Sequence, residues 1–514
     1  MGFYFSKSKF VSNFTRCNKY TWLDKNMPEK KAEVDEFTQS LFTNGQAVGE
    51  LAKKYFNVDV DVTAIREDES IDISQMIAET KKHVELGTKA IAEASFFWKG
   101  FFCSIDILIR NDDGTYNIYE VKSSKQDTKK DKKLGCVKEK YIIDAAYQQY
   151  VVEKCGININ KVFVVLLAED YVRGSAFEID KYFVTCDVTV HTNSRQAYVA
   201  DKMKEIELVL AEKDEPATVF TKNCNGCDYW KICSRYISQP STFDIYGLNF
   251  SEKCRLYEQG VSFFDVPNKY EKTKIGAIRQ IDYYNRPNDA YIDVNAIRDF
   301  MDSLTYPIYS LDFETYQAVI PEYEGIATYE QVPFQYSLHI VKKEDADISE
   351  ESSDIEEHHF LDLSGADTRR AIAESLVKNI PYGAQVIAYH ESTERNIIDR
   401  LAKYCPDLAD HLLSFEYKDP LKIFESGQYY VKAMGKSFSL KSVAPALYPN
   451  DKDMDYHNLE GDVKNGTQAM NVYLKIKDYS EEERRQIEID LEKYCALDTF
   501  AVVKILKKLY EVSR

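Results

Sequence analysis

The chain has 514 residues, too many for one ordinary hydrophobic core, and about 150 residues per domain predicts two to four units. A hydrophobic share of 44% and a charged share of 29%, with no long low-complexity tract, exclude a disordered chain. The formal charge of -18 excludes a protein that grips nucleic acid with its whole surface, because phosphate contacts need Lys and Arg in quantity. No apolar stretch approaches the ~20 residues that span a bilayer, and the start MGFYFSKSKF lacks a signal peptide's apolar core. The expectation is a cytoplasmic protein with no membrane partner. Its eleven cysteines then point to metal ligands and buried thiols rather than to a disulfide framework.

Residues 1–240 alternate helical and strand-like patterns and read as an α/β domain. Cys17 lies near its start, and Gly45–Glu50 is read as the beginning of a helix. Two strands, Ser104–Arg110 and Tyr116–Lys122, flank the turn-forming Asn111-Asp112-Asp113-Gly114. Asp106 sits in the first strand and Glu120-Val121-Lys122 ends the second, so Glu120 and Lys122 share one strand face while Val121 is predicted to point into the core. Two carboxylates to hold a divalent metal and an ammonium to stabilise phosphorane charge make a workable hydrolytic centre. Between Lys122 and Lys140 eight lysines outnumber three acids, a local candidate for phosphate contact in an otherwise acidic chain. A helix is predicted over Asp144–Lys154 and a buried strand over Val162–Ala168. Cys224-x2-Cys227-x5-Cys233 closes the domain, and with Cys17 gives four thiolates able to hold iron-sulfur or zinc. The other seven cysteines share no spacing and read as buried thiols.

Residues 241–300, flanked or interrupted by Pro240, Pro267 and Pro287, read as a helical connector. From 301 to 514 a second α/β pattern follows, with strands at Ile308–Phe313, Pro333–Val341 and Gln385–Tyr389, an acidic insert at Glu344–Glu357 read as a hairpin tip, and helices to the C-terminus. Asp312 and Glu314 stand i, i+2 and project from one strand face, an arrangement that like-charge repulsion disfavours unless divalent cations sit between them. Tyr494 and Asp498 stand i, i+4 and share one helix face, where a tyrosine hydroxyl can orient the water that attacks phosphorus. Lys441, in Ser437-x-Ser439-Leu440-Lys441, is read as a surface lysine, with a place near substrate phosphate as the alternative.

These motifs resemble two nuclease families. Asp312, Glu314, Tyr494 and Asp498 resemble the DnaQ-like, or DEDD, exonucleases of the ribonuclease H-like fold, in the subclass with a tyrosine four residues before the last aspartate. That resemblance implies a middle motif at Tyr389–Glu394, with Glu394 standing where the family usually has aspartate. Asp106, Glu120 and Lys122 resemble PD-(D/E)XK nucleases, and by that resemblance Glu50 is the upstream acidic ligand. Asp144–Tyr150 resembles the glutamine helix of RecB-like members and implies Gln148 as the glutamine. One cysteine before the nuclease core and three after it resemble the iron-sulfur RecB-like nucleases, including the CRISPR-associated exonucleases, which implies a structural 4Fe-4S cluster with zinc as the alternative. The whole chain resembles an uncharacterised bacterial family that fuses these two domains. The implied activity is a Mg²⁺- or Mn²⁺-dependent nuclease acting on DNA, with RNA as the other possible substrate. The alternative is a nucleic-acid end-binding or partner-docking protein in which one centre is inactive.

Overall fold

The computed structural model describes residues 4–129, 136–266, 275–284, 290–349 and 352–514. It separates into two compact units, Met1–Tyr236 with Val319–Thr328, and Ile237–Ala318 with Tyr329–Arg514. The chain passes from the first unit to the second between Tyr236 and Ile237, and the 241–300 segment read as a helical connector is grouped with the second unit. Pro267 and Pro287 lie outside the described residues. Both units are mixed α/β, and among the described residues no helix is long and apolar enough to cross a membrane.

The first unit is built on a seven-stranded sheet: β1 (Phe5–Ser6), β2 (Val60–Asp61), β3 (Ala90–Trp98), β4 (Phe101–Arg110), β5 (Tyr116–Lys125), β6 (Ile159–Leu167) and β7 (Phe183–Asp187). The order is β2-β3-β4-β5-β6-β7, with β1 pairing on β4. Asn111–Gly114 makes the predicted turn, closed by Asn111 N–H to Thr115 O at 2.7 Å with Gly114 at φ +83°. β5 and β6 are parallel, and the helix α4 (Glu139–Lys154) connects them. α4 is buried almost all round because it lies between the sheet and α5 (Thr189–Ala211). Two local expectations fail here. Gly45–Glu50 lies in the middle of a helix, α3 (Glu36–Tyr55), which starts nine residues before Gly45 because Asp35 caps it by accepting from Thr38 N–H. Val121 is half-buried, and it is Glu120 that continues the buried face of Tyr116 and Ile118, since α4 covers that face and offers Glu120 polar partners.

One departure from regular pairing positions a site. β4 pairs with β5 only over Ile107–Arg110 and Tyr116–Tyr119, while its other end pairs with β1 through Phe101 and Phe102. Between these stretches the strands part. Asp106 fills the gap with its carboxylate, which accepts from Val121 N–H at 2.7 Å.

The second unit carries the five-stranded sheet β11-β10-β9-β12-β13, formed by β9 (Ile308–Tyr316), β10 (Val332–Val341), β11 (Ile355–Leu361), β12 (Gln385–Ile387) and β13 (Glu416–Lys418). β10 runs antiparallel to both neighbours, and β12 and β13 are parallel to β9. A separate ribbon pairs β8 (Ala290–Ile292) with β14 (Tyr429–Val431). β10 and β11 pair antiparallel on either side of the acidic insert, of which Glu350 and Glu351 lie outside the described residues. Along β9 the faces alternate: Tyr309, Leu311 and Phe313 enter a core with Ile372 and Leu376 of α6 (Arg369–Asn379) and Ile397, Ile398 and Leu401 of α7 (Ser392–Tyr404). The opposite face meets α10 (Glu481–Ser513), opened by a capping box between Ser480 and Glu483.

Buried polar clamps fix α10 on that face. Ser310 Oγ donates to Thr499 O at 3.0 Å, Gln335 Nε2 donates to Leu491 O at 2.9 Å, and Thr499 Oγ1 lies 2.8 Å from both Ser337 Oγ and His339 Nδ1. Each satisfies a group that burial would otherwise orphan. Thr499→Val keeps the shape but leaves Ser337 and His339 without that partner. The expected cost is about 1–3 kcal/mol, read as a lower denaturant midpoint for the second unit, and an unchanged midpoint would show that the clamp carries no stability.

Candidate metal centres

In the second unit β9 supplies Asp312 and Glu314 and α10 supplies Asp498, and one oxygen from each lies within 4.8 Å of the others. Glu314 and Asp498 are buried, while Asp312 keeps partial exposure. Tyr456 donates to Asp498 Oδ1 at 2.5 Å, and the Tyr494 hydroxyl also hydrogen-bonds Asp498. Tyr456 has no sequence signal, since it lies in a 3-10 turn that only the fold brings to α10.

Glu394, in the first turn of α7, lies outside the 4.8 Å group but has the same character. It is 4% exposed, and among the described residues its Oε2 finds no hydrogen-bond partner. Glu391, one turn earlier, is held instead by Lys422 and Arg395. The helix start is tethered by Asp419, whose carboxylate accepts from the His390, Glu391 and Leu421 backbone N–H groups; His390 takes φ +74° at the turn.

Burial dominates the electrostatics. It pushes Asp312 well above the usual carboxylate range, and the charges of Asp498, Glu394 and Glu314 add to it. Glu314 rises to about 8 through burial and the Asp498 charge, and Glu394 to about 8 through burial with Asp419 close by. Asp498 is raised by burial against the opposing hydrogen bond from Tyr456. Only a cation makes ionising all four favourable. A cavity of about 510 Å³ opens on Asp312 and Asp498.

The first unit brings Asp106, Glu120, Lys122 and Gln148 together around the strand gap. Lys122 Nζ lies 2.5 Å from Glu120 Oε1 and 2.7 Å from Asp144 Oδ2, and Gln148 Nε2 donates to Glu120 at 2.7 Å and to Asp144 at 3.0 Å. The neighbouring Gln149 turns away to Glu153 and Asn193, so the fold singles out Gln148. Lys7, which no motif announces, donates to Glu120 Oε1 and Oε2 at 3.0 and 3.1 Å, to Ser104 O at 3.2 Å and to Asp106 at 3.4 Å. Burial pushes Asp106 up, aided by the Glu120 charge; against burial, Lys122 and Lys7 pull Glu120 down.

Glu50 does not join this group. It is mostly exposed and pairs with Lys53 at 2.6 Å. The upstream carboxylate whose charge reaches Asp106 is Glu93 on β3, which accepts from Ser104 Oγ at 2.9 Å. Its own pairing with Asp106 is missing from the ladder between Ala92↔Ile107 and Ala94↔Ile105, and its φ is +54°, strain at a position that no residue pattern announces. Of the lysine run, Lys122, Lys138 and Lys140 lie over the Tyr141 ring at 5.1–5.9 Å, whereas Lys130, Lys132 and Lys133 lie outside the described residues.

Cys17, Cys224, Cys227 and Cys233 line one cavity of about 260 Å³. Arg16 ties the two ends together by donating to the carbonyls of Asn223 and Gly226 at 2.8 Å and of Asn225 at 3.1 Å. Among the described residues, no three of these sulfurs lie within 4.8 Å of one another. Burial pushes the Cys233 thiol up to about 11 and raises Cys227. Of the remaining cysteines, Cys103, Cys186, Cys254, Cys405 and Cys495 are buried as predicted, but Cys155 is exposed and Cys136 half-buried.

A family model described as a domain of unknown function (DUF2779) matches residues 309–439, which hold Asp312, Glu314 and Glu394 but not Asp498. No curated protein matches the chain. A solved structure titled "Crystal structure of SSO0001" is similar over 44% of this chain and 86% of its own, at 11% identity and a TM-score of 0.23, too low to carry an argument about fold or function.

Proposed function

We propose that the chain is a Mg²⁺- or Mn²⁺-dependent nuclease of two centres: a 3′→5′ exonuclease-type centre in a DnaQ-like second unit, and a PD-(D/E)XK-type DNA nuclease centre in a RecB-like first unit, serving repair, processing or defence. The observation that carries the reading is the convergence of Asp312, Glu314 and Asp498 within 4.8 Å in a buried setting. A mixed five-stranded sheet with one antiparallel strand supports a ribonuclease H-like domain.

The donor set suits hard divalent ions, since it is all carboxylate oxygen. Bound there, such ions supply the positive charge that polarises a phosphodiester and makes water nucleophilic. Asp312, Glu314 and Asp498 would hold them, with Glu394 as a further oxygen donor. Tyr494 and Tyr456 hold the Asp498 carboxylate, and Tyr494 orients water at phosphorus. In the first unit Asp106 and Glu120 would hold metal, Lys122 would stabilise phosphorane charge, and Gln148 fixes Glu120.

One observation favours a second reading for the first unit, in which its centre binds nucleic-acid ends or a partner without cutting. Lys7 contacts the same Glu120 and Asp106 oxygens that a metal would need, so the carboxylates there already have a cation. Separate Asp312→Ala and Lys122→Ala proteins, given end-labelled DNA and RNA with Mn²⁺, divide the readings. The two-centre nuclease requires each change to remove one cleavage pattern, by at least about a hundredfold. Loss with Asp312→Ala alone supports the inactive first centre, and no loss with either sinks the nuclease proposal.

We propose that the four cysteines hold a 4Fe-4S cluster, with zinc as the alternative. The cluster would pin the ends of the first unit, as Arg16 already does. Anaerobically purified protein should be brown, with iron and acid-labile sulfide that Cys227→Ser removes; a colourless, zinc-loaded protein contradicts the assignment.

A further inference from the structure

Resting on the reading of Asp312, Glu314 and Asp498 as a phosphodiester-cleaving centre, we propose that Lys441 is the residue that binds the substrate phosphate there. The sequence presents it as a surface lysine, and it is exposed, but on the lining of the cavity that Asp312 and Asp498 share. It is the second residue of α8 (Leu440–Leu447), and its Nζ lies 4.7 Å from the centroid of the Tyr494 ring and 5.0 Å from that of Tyr456, the two tyrosines that hold Asp498. Aromatic faces stabilise a cation without neutralising it. Lys441 donates to Lys464 O at 3.0 Å, and among the described residues it closes no ion pair.

Its charge nevertheless reaches Asp312, Glu314 and Asp498, and it is the cation that pulls against the rise of all three. Lys441 lines the same cavity as Asp312 and Asp498, together with Tyr246, Ser437, Phe438 and Ser439. A dedicated counter-ion for the carboxylates would pair with one directly, as Lys122 does with Glu120 in the first unit. Lys441 stops short, held over two rings and open to the cavity. Charge balance supplies the reason. Four ionised carboxylates and two divalent ions cancel, and an entering phosphodiester then brings one negative charge that Lys441 is placed to meet.

The test uses the full-length protein with a labelled single-stranded oligonucleotide, Ca²⁺ replacing Mn²⁺ to suppress cleavage, and binding followed by anisotropy across a salt series. Lys441→Met should weaken binding about tenfold. It should also make the slope of log affinity against log salt shallower by about 0.7, the signature of one lost phosphate contact on a single strand. Lys441→Arg should restore both. Mn²⁺ affinity without DNA, measured by calorimetry, should stay equal or tighten in Lys441→Met, because a repelling charge has gone. An unchanged salt slope, or Mn²⁺ affinity that falls along with DNA affinity, overturns the proposal and leaves Lys441 a structural counter-ion. If Asp312→Asn does not reduce Mn²⁺ binding, the underlying reading of the centre fails, and the role of Lys441 with it.

Discussion

Four carboxylates held together where water is scarce are the constraint around which the second unit is organised. Asp312, Glu314, Glu394 and Asp498 are each raised first by burial, and Asp312 further by the charges of the other three. A fold does not gather such groups for stability, because burying unpaired charge costs free energy. The rest of the unit offsets that cost: the apolar face of β9 locks into the α6–α7 core, and Thr499, Gln335 and Ser310 clamp α10 so that Asp498 cannot swing away. Asp419 does the same for the start of α7 and so for Glu394.

The first unit solves a related problem in the opposite way. Its carboxylates Asp106, Glu120 and Asp144 meet Lys7, Lys122 and Gln148 at hydrogen-bonding distance, so the charge is largely balanced by the chain itself. The two centres therefore differ in what they lack. Among the described residues the four carboxylates of the second unit close no ion pair, while those of the first meet Lys7 and Lys122.

What was legible in the sequence follows from range. Asp312 and Glu314 on one strand face, and Tyr494 with Asp498 one turn apart on a helix, are local periodicities that survive folding unchanged. The Asn111–Gly114 turn and the Cys224–Cys233 spacing are local too. Lys7, Glu93, Tyr456 and Arg16 were missed because each reaches its partners through the fold. Lys7 arrives through the pairing of β1 with β4, Glu93 through a distorted stretch of the β3–β4 ladder, Tyr456 through a 3-10 turn packed on α10, and Arg16 by a clamp onto residues about two hundred positions away. Glu50 was misplaced for a related reason: Gly45 looks like a helix start, but the Asp35 cap overrides it and leaves Glu50 on the exposed side. Segment 319–328 belongs with the first unit, which no composition shift marks.

The central claim, that this cluster is built for cations, is tested most directly by the thermal stability of the metal-free protein as a function of pH, in wild type and Asp312→Asn. Glu314 and Glu394 have folded values raised to about 8 from ordinary carboxylate values near 4.5, so the folded state holds more protons than the unfolded one between those limits. Stability from this source is present at low pH and lost as pH rises toward 8. The account predicts that the wild-type melting temperature falls over that range, that Asp312→Asn raises it most at the alkaline end, and that Mn²⁺ restores the wild type but not the variant. A wild-type melting temperature indifferent to Mn²⁺, together with no gain from Asp312→Asn, would contradict it.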